Sequence, residues 1–484
     1  MNTITIYKKN LYYLVIVTLI YFGIFLHLGS NTIRPWDESR TAINAVEMSF
    51  TGNYLYRTFD YKPENWETKP PLLIWLQVLC LKTIGYNELA IRLPSAIAAC
   101  LSIIFLIVYI NKKYESLWHG LVLTLMLLTS HGFLYIHNAR TGDHDALLIF
   151  FEILMIVSFY EFLEQKKNKY LIYTFIFFTC CYFTKSVAVF PFLPAMFLYV
   201  LIQKKLLYLL KNKYLYIGVL IPIIIIASYY LLVEMYVPGY IKKALYEDLF
   251  VRYNKVASYY YNGYYYDFLT KVSYKYIYLL PIAIILLITN YRKKYNLLLF
   301  FILICGFIWF SLPKGTPNTW YLAPMLPLLS VIITVTIIDF IFKYLSDYNY
   351  YIKHTILFLL IVGIFLNSYK NIIKTNLIVD KEHNDLQYGF VLSILIKEYP
   401  TIKNITMYNN ESTHTSGQVY QEIYNKLYNY RIHRVYDLDK SLKQFDTVLT
   451  HIDNAKNVFS DSTNFKSTKI FEARGCALYS ISKK

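Results

Sequence analysis

Glycine is scarce: 16 residues in a chain of 484, about half the usual share of roughly 7%. Dense transmembrane packing or hinge-rich transport would lead one to expect more of it. Charge is thin as well, with Asp, Glu, Lys and Arg making up 16% of the residues. The acids are outnumbered, 31 against 48 basic residues. Six cysteines stand at 80, 100, 180, 181, 305 and 476, five of them in apolar segments, so no disulfide framework is readable and the redox compartment stays open. No glycine-rich nucleotide-binding loop is present, and no repeat recurs at a fixed period of about 20–50 residues.

What fills the chain is apolar and aromatic: 56% hydrophobic, with 51 Tyr, 32 Phe and 6 Trp. That excludes a disordered chain and argues against an ordinary soluble enzyme. Apolar runs recur over the first three quarters, most near the ~20 residues that cross a bilayer core of about 30 Å. Eleven spans are expected, at 11–29, 89–110, 117–136, 145–163, 170–184, 186–203, 214–233, 276–290, 296–312, 319–342 and 354–369. The fifth and sixth are short and separated only by Lys185, as in a tight hairpin or one broken element.

The net charge of +17 would raise the question of nucleic acid in a soluble protein. Its placement answers otherwise. Lysine and arginine collect in alternate connections: Lys8 and Lys9; Lys112 and Lys113; Lys166, Lys167 and Lys169; Lys204, Lys205, Lys211 and Lys213; Arg292, Lys293 and Lys294; Lys343 and Lys353. The intervening short loops hold only Arg140, Lys185 and Lys314. Basic loops stay on the cytoplasmic side, which predicts a multi-pass protein of a bacterial inner membrane with a cytoplasmic N terminus and an extracytoplasmic C terminus. The first apolar run is long and lacks a small-residue cleavage site, as expected of a retained anchor. The apolar stretch from Leu72 is too short to cross, so a helix on the outer surface is expected there. Large outer loops then run over about 30–88 and 234–275.

Beyond residue 370 the composition turns polar. Residues 371–484 are expected to form a small extracytoplasmic α/β domain, with short β-type runs such as Lys403–Tyr408 and Thr447–His451 beside helical patterns. The fold class is therefore a mainly α, polytopic membrane protein (1–370) with a small C-terminal α/β unit. Two Asn-X-Ser/Thr matches in that unit are chance occurrences of a short motif.

Four stretches could carry chemistry. Arg34-Pro35-Trp36-Asp37-Glu38-Ser39-Arg40 follows the first span. Its adjacent acids read either as helix-capping charges or, with Asp37 against lipid and Trp36, as a general base for an acceptor nucleophile. In Glu67-Thr68-Lys69-Pro70-Pro71 two prolines set the backbone direction before a helix. Lys69 there is either a snorkelling lysine or a contact for a lipid-linked phosphate. In His137 to Asp145, Arg140 and Asp143 either brace one helical face or act directly. Asp143-His144-Asp145 offers metal ligands, although three consecutive residues cannot all face one ion from a regular helix, so the metal is unknown and a divalent cation is an optional cofactor. In Ser311 to Pro327, Lys314 is a phosphate candidate and Tyr321 an aromatic anchor at the next span, with Arg252 a further basic candidate beside the Tyr-rich run 259–266. All four stretches fall on one side of the predicted topology.

These residues resemble the polytopic GT-C glycosyltransferases, in particular relatives of the lipid A aminoarabinose transferases and the protein O-mannosyltransferases. The likeness is carried by Pro35-Trp36-Asp37-Glu38-Ser39-Arg40, Ala45-Val46-Glu47-Met48, Thr68-Lys69-Pro70-Pro71-Leu72, Gly85-Tyr86-Asn87-Glu88 and Arg92-Leu93-Pro94-Ser95, in order over the first 95 residues and more loosely beyond 150. The resemblance implies inverting transfer of a sugar from a polyprenyl-phosphate donor to a glycolipid, lipid A, polymer or protein acceptor at the extracytoplasmic membrane face, with no nucleic-acid partner. It implies that the acid at Asp37 is essential and that Lys69 lies near the donor phosphate; Glu38, Arg140 and Asp143 follow on the same ground. One departure stands out: the aminoarabinose transferases commonly have an acid directly before the motif lysine, whereas here Thr68 occupies that place and Glu67 precedes it. The rival expectation is a lipid or solute transporter, for which Glu152, an acid near a span centre, is the one sign. A third is a non-catalytic membrane scaffold.

Overall fold

The computed structural model describes every residue except 1–2, 66, 115, 248–274, 291–293, 312–318, 346–347, 379–387, 409–414, 436–446, 453–454, 456–458, 460–464, 474–475 and 484. The membrane region opens with α1 (Thr3–Ile20), which runs into a π turn over Tyr21–Phe25. Next come α2 (Asp37–Thr51), a small hairpin of β1 (Thr58–Phe59) and β2 (Lys62–Pro63), and α3 (Leu72–Ile84). Then follow α4 (Glu88–Tyr114), α5 (Leu117–Thr129), a one-turn α6 (His131–Leu134), α7 (Asp145–Gln165) and α8 (Asn168–Lys185). A 3-10 segment over Ser186–Phe192 leads to α9 (Leu193–Ile202), α10 (Leu206–Leu210), α11 (Lys213–Tyr236) and α12 (Tyr240–Leu245). The last membrane helices are α13 (Leu280–Thr289), α14 (Lys294–Ser311), α15 (Met325–Tyr344) and α16 (Tyr350–Leu377).

Each of the eleven expected ranges is helical over most of its described residues. Among the described residues seven stretches are long and apolar enough to cross a membrane by length and composition, and the remainder are shorter apolar helices. The two short spans around Lys185 are one broken element. The helix stops at Lys185, Ser186 takes φ 50°, and the 3-10 turn carries Pro191. Helix α3 has 13 residues, a rise of about 20 Å, well short of a bilayer core. Helix α16 continues to Leu377, past the compositional boundary near 370.

The C-terminal region holds α17 (Tyr388–Glu398), β3 (Asn404–Tyr408), α18 (Ser416–Leu427), β4 (Arg431–Val435), β5 (Thr447–His451), β6 (Phe465–Ala473) and β7 (Cys476–Lys483). The strands form one sheet in the order β4-β3-β5-β7-β6, parallel on either side of β3 and antiparallel from β5 outward. This small sheet does not hang free. Ile33, Ile43, Val46, Ile74 and Val78 share a core with Val391, Leu395, Ile405, Val419 and Tyr420. Each large aliphatic side chain so buried contributes about 1.5–3 kcal/mol. The Tyr420 hydroxyl accepts from the Ile33 amide (2.8 Å) and donates to Glu88 (2.9 Å), and Tyr61 donates to Glu422 (2.6 Å). Helix α2 is thus held between the membrane helices and α18.

Glu47, completely buried on α2, makes this interface sensitive to pH. One carboxylate oxygen accepts from Thr58 Oγ1 (2.6 Å) and the Tyr61 amide (3.3 Å), while the other has no partner among the described residues. Burial lifts its pKa to about 7, and the nearby Glu422 carboxylate acts in the same direction against the two hydrogen bonds. The folded-state value lies above the unfolded one, so the proton favours folding. The stabilisation is full below the unfolded value of 4.5 and is lost as pH rises through about 7. Melting curves of Glu47→Gln and the parent protein should therefore diverge between pH 5 and 8, the variant gaining on the parent as pH rises. A Tm difference that stays constant with pH would show that Glu47 does not titrate in this range.

Candidate active site

Asp37 is the first residue of α2, and the chain reaches it through an unusual backbone. Trp36 takes φ 66° and ψ −119°, outside the regions an L-residue favours. The segment is held there by its neighbours. Arg92, reaching down from α4, donates to the carbonyls of Leu28, Asn31 and Thr32, and Arg34 donates to the carbonyl of Tyr135 (2.9 Å).

Glu38 is what locks this segment to the rest. Its buried carboxylate accepts from Arg92 Nε (2.7 Å) and Nη2 (3.0 Å), the Arg34 amide (2.7 Å) and the Gly142 amide (2.9 Å). Burial alone would raise its pKa, but the Arg92 and Arg34 charges hold it below the ordinary value. Successive helical residues point about 100° apart, so Asp37 and Glu38 cannot serve one spot. Both Glu38 oxygens are engaged by the scaffold.

Gly142 fastens the loop 137–145 onto this frame. Its carbonyl accepts from Thr41 Oγ1 (2.7 Å) and Gln77 Nε2 (3.1 Å). A Cβ there would fall 2.6 Å from the Ile91 side chain and 3.0 Å from its carbonyl, so only glycine fits. The result is a triangle of ligating atoms. His137, itself at φ 53°, places Nδ1 3.3 Å from Asp37 Oδ2 and 2.5 Å from Asp143 Oδ2. The chosen ligand atoms of Asp37, His137 and Asp143 all lie within 4.8 Å of one another, a set that could take a divalent cation. The consecutive residues Asp143, His144 and Asp145 do not converge on one point, as their adjacency led one to expect: His144 bonds Asp143 (3.1 Å), while Asp145 pairs with Lys185.

Arg140 and Asp143 do not pair as the brace that their spacing suggested. The Arg140 guanidinium donates to the carbonyls of Ile24 (2.6 Å) and Leu26 (2.9 Å), closing the end of the first span. The loop is not a regular helix, so the three-residue spacing does not align the two side chains.

On the other side of Asp37 stands Lys69, whose Nζ lies 3.2 Å from Glu67 Oε2. Burial would weaken its charge, but Glu67, Asp143 and Asp37 more than offset this and raise its pKa. Glu67 is pulled down to about 2: burial opposes this, and Lys69 and Arg57 outweigh it. Burial together with Asp143 raises the Asp37 pKa, and Lys69 and His137 only partly counter them. His144, fully buried beside Lys69 and Arg57, falls to about 4 and is neutral at pH 7, although Asp143 pulls the other way.

Arg57 is the residue that motif reading missed. Its Nη1 sits 4.0 Å from the other oxygen of Glu67, and Nη2 donates to the Pro70 carbonyl (3.2 Å). The side chain is only 3% exposed, yet Nε and Nη1 have no hydrogen-bond partner among the described residues. A buried cation with idle donors is costly unless an anion reaches it. Its place in the sequence, twelve residues before Lys69 in a polar loop, carries no signal of this; only the hairpin β1–β2 brings it back to the Lys-Pro-Pro bend.

Tyr321 lies in the 3-10 turn Thr319–Leu322, its ring 5.8 Å from Lys185 Nζ. Trp320 beside it covers His137, with ring centroids 4.8 Å apart. Lys185, read from sequence only as a break between helices, therefore borders the site. Arg252 and Lys314 lie outside the described residues. Glu152 is buried in α7, two turns below Asp145, with no hydrogen-bond partner for either oxygen among the described residues.

The crystal structure of ArnT from Cupriavidus metallidurans bound to undecaprenyl phosphate superposes with a TM-score of 0.69 over 98% of this chain and 97% of that one, at 13% identity. The apo form of the same protein gives 0.69 at 12% identity. The chain therefore has the fold of that ArnT, a likeness of fold along nearly its whole length. Residues 68–231 match the family described as dolichyl-phosphate-mannose-protein mannosyltransferase. The matched segment begins at Thr68, within the motif stretch that carries the resemblance in the sequence. An uncharacterized protein of Aquifex aeolicus is 30% identical over 226 residues, 46% of this chain and 43% of its own length. "Putative mannosyltransferase YkcB" of Bacillus subtilis is 24% identical over 199 residues, 40% of this chain and 27% of its own length. The chain thus matches less than half the length of these curated relatives.

Proposed function

We propose that the chain is an inverting glycosyltransferase that moves a sugar from a polyprenyl phosphate to an envelope acceptor on the outer face of a bacterial inner membrane. The observation that carries this reading is a half-exposed acid, Asp37, beside two cations, the half-buried Lys69 and the buried Arg57, that share the Glu67 carboxylate. The undecaprenyl phosphate bound to the structurally similar ArnT supports a lipid-phosphate donor. The orientation follows the lysine-rich loops: N terminus in the cytoplasm, Asp37 and the C-terminal sheet outside.

In the proposed reaction Asp37 takes the proton from the acceptor hydroxyl as that oxygen bonds to the anomeric carbon from the face opposite the phosphate. The bond from that carbon to the phosphate oxygen breaks, its electron pair stays on the phosphate, and configuration inverts. Lys69 and Arg57 stabilise the charge that gathers on the departing polyprenyl phosphate. Asp143 and His137 hold Asp37 in place, or share a divalent cation with it. Glu38 and Arg140 position the two loops without touching substrate, and Tyr321 borders the site.

The test is transfer by the purified protein in lipid nanodiscs, supplied in turn with polyprenyl-phosphate-linked sugars, beside mass spectrometry of envelope glycolipids, polymers and proteins from cells with and without the gene. A mass increment equal to one sugar, lost from one envelope fraction on deletion, is expected and identifies the acceptor class. An unchanged envelope, together with no turnover of any polyprenyl-linked donor, would overturn the proposal.

A further inference from the structure

Toward the end of the bundle away from Asp37 lies a cavity of about 90 Å³, between α4 and α7 on one side and α14 and α15 on the other. Its walls are aliphatic, among them Leu106, Ile110, Ile153, Val157, Leu299 and Val331, and one charged residue, Lys113, joins them. Val157, Leu299 and Val331 are half-buried, so the slot opens sideways onto the surface that the bilayer covers.

Its depth is readable from the helices. Met325, where α15 begins, packs on Gly306 of α14. Gly306 lies twelve residues along from Lys294, about 18 Å at the helical rise. Helix α15 therefore begins within the membrane, and the slot runs from its first turns at Pro327 and Leu328 down to the lysine-rich end. That span is close to the ~15 Å of hydrocarbon in one leaflet.

At the lysine-rich end the Lys113 ammonium is caged by aromatic faces. Its Nζ is 4.2 Å from the ring centre of Tyr295, 4.5 Å from Tyr160 and 5.7 Å from Tyr109, and it donates to the Tyr160 hydroxyl at 3.4 Å. No carboxylate lies within ion-pair distance of it among the described residues. The nearest acids are engaged elsewhere: Glu161 accepts from Tyr109 (2.6 Å), and Glu164 is held by Lys205 (3.1 Å) and Lys294 (2.9 Å). Ring faces hold a cation in place without neutralising it.

We infer that this slot is a binding site for an anionic phospholipid of the cytoplasmic leaflet, with one acyl chain in the groove and the head-group phosphate on Lys113. The groove supplies the length and apolar lining for a chain, whose dispersion contacts an empty slot would forfeit. The caged ammonium supplies an unmatched charge at head-group depth, where that leaflet is negative. The assignment of the leaflet rests on the orientation proposed above; the site itself does not depend on the transferase reading. A chain bedded against Pro327 and Leu328 also backs the start of α15, seven residues after the Trp320 that covers His137.

Native mass spectrometry of the full-length protein released from nanodiscs of equal phosphatidylglycerol and phosphatidylcholine tests this directly. The parent protein should retain one phosphatidylglycerol in preference to phosphatidylcholine. Lys113→Gln should reduce that preference about fivefold, the worth of one interfacial lysine, whereas Lys112→Gln leaves it unchanged. Filling the slot with Val331→Trp, or with Val157→Phe if the first variant loses helical circular dichroism, should abolish retention of either lipid. Equal losses for Lys112→Gln and Lys113→Gln would reduce the effect to general surface charge and overturn the head-group assignment. Lipid retention that survives both filled variants would overturn the groove. A transferase assay that fails while these results hold would count against the proposed reaction and leave this site standing.

Discussion

Asp37→Asn leaves the protein folded and in the membrane and lowers sugar transfer about 10²–10⁴-fold, the range a positioned general base supplies. The fold is spared because the Asp37 side chain is 42% exposed, and the frame around it rests on Glu38, Arg92 and Gly142. Asparagine keeps the size and can still meet His137, but it cannot take a proton from the acceptor. The pH profile of the parent enzyme carries the same signature. Burial and the Asp143 charge raise the Asp37 pKa, and the active form is the ionised one, so activity falls as pH drops through that raised value. Asp143→Asn removes a neighbouring negative charge and should move this acid limb to lower pH. Initial rates over pH 4–8, beside circular dichroism and membrane fractionation, check both statements. An Asp37→Asn protein with full activity on its correct donor would remove the residue from the chemistry.

The helical character of the apolar runs was legible in the sequence because bilayer length is a strong, local signal. The break at Lys185 showed as two runs too short to span. The short apolar stretch at Leu72 could be read as a non-crossing helix for the same reason. The site was legible only in part. The positions of Asp37 and Lys69 follow from motifs, and the structure brings their charges within reach of one another. The division of labour within those motifs was not readable. Glu38 sits next to Asp37 in sequence yet faces Arg92, since helical neighbours diverge. Arg140 serves carbonyls of the first span, more than a hundred residues earlier, a contact that no local pattern encodes. The docking of the C-terminal sheet on α2 through Tyr420 is likewise long-range. Composition marked that region as soluble but said nothing of the core it shares with the helix that bears Asp37.

Arg57→Met is expected to cost about ten- to hundredfold in kcat/KM for the polyprenyl-phosphate donor while leaving thermal stability unchanged or higher. With Nε and Nη1 buried and idle, Arg57 is held in the folded protein at a desolvation cost that one bond to the Pro70 carbonyl and a 4.0 Å approach to Glu67 do not offset. Replacing such a charge by an apolar side chain of similar length is often neutral or stabilising. Glu67 would not be stranded, because Lys69 remains 3.2 Å away. A phosphate bound between the two cations would accept from the guanidinium in a charge-assisted hydrogen bond worth about 1.5–3 kcal/mol, and that contribution is what the variant loses. Lysine at this position would restore the charge but not the fork, so Arg57→Lys should recover only part of the loss. A structural brace behaves in the opposite way. If Arg57→Met lowers Tm by several degrees and leaves donor kinetics intact, the guanidinium supports the β1–β2 hairpin, and the phosphate rests on Lys69 without it.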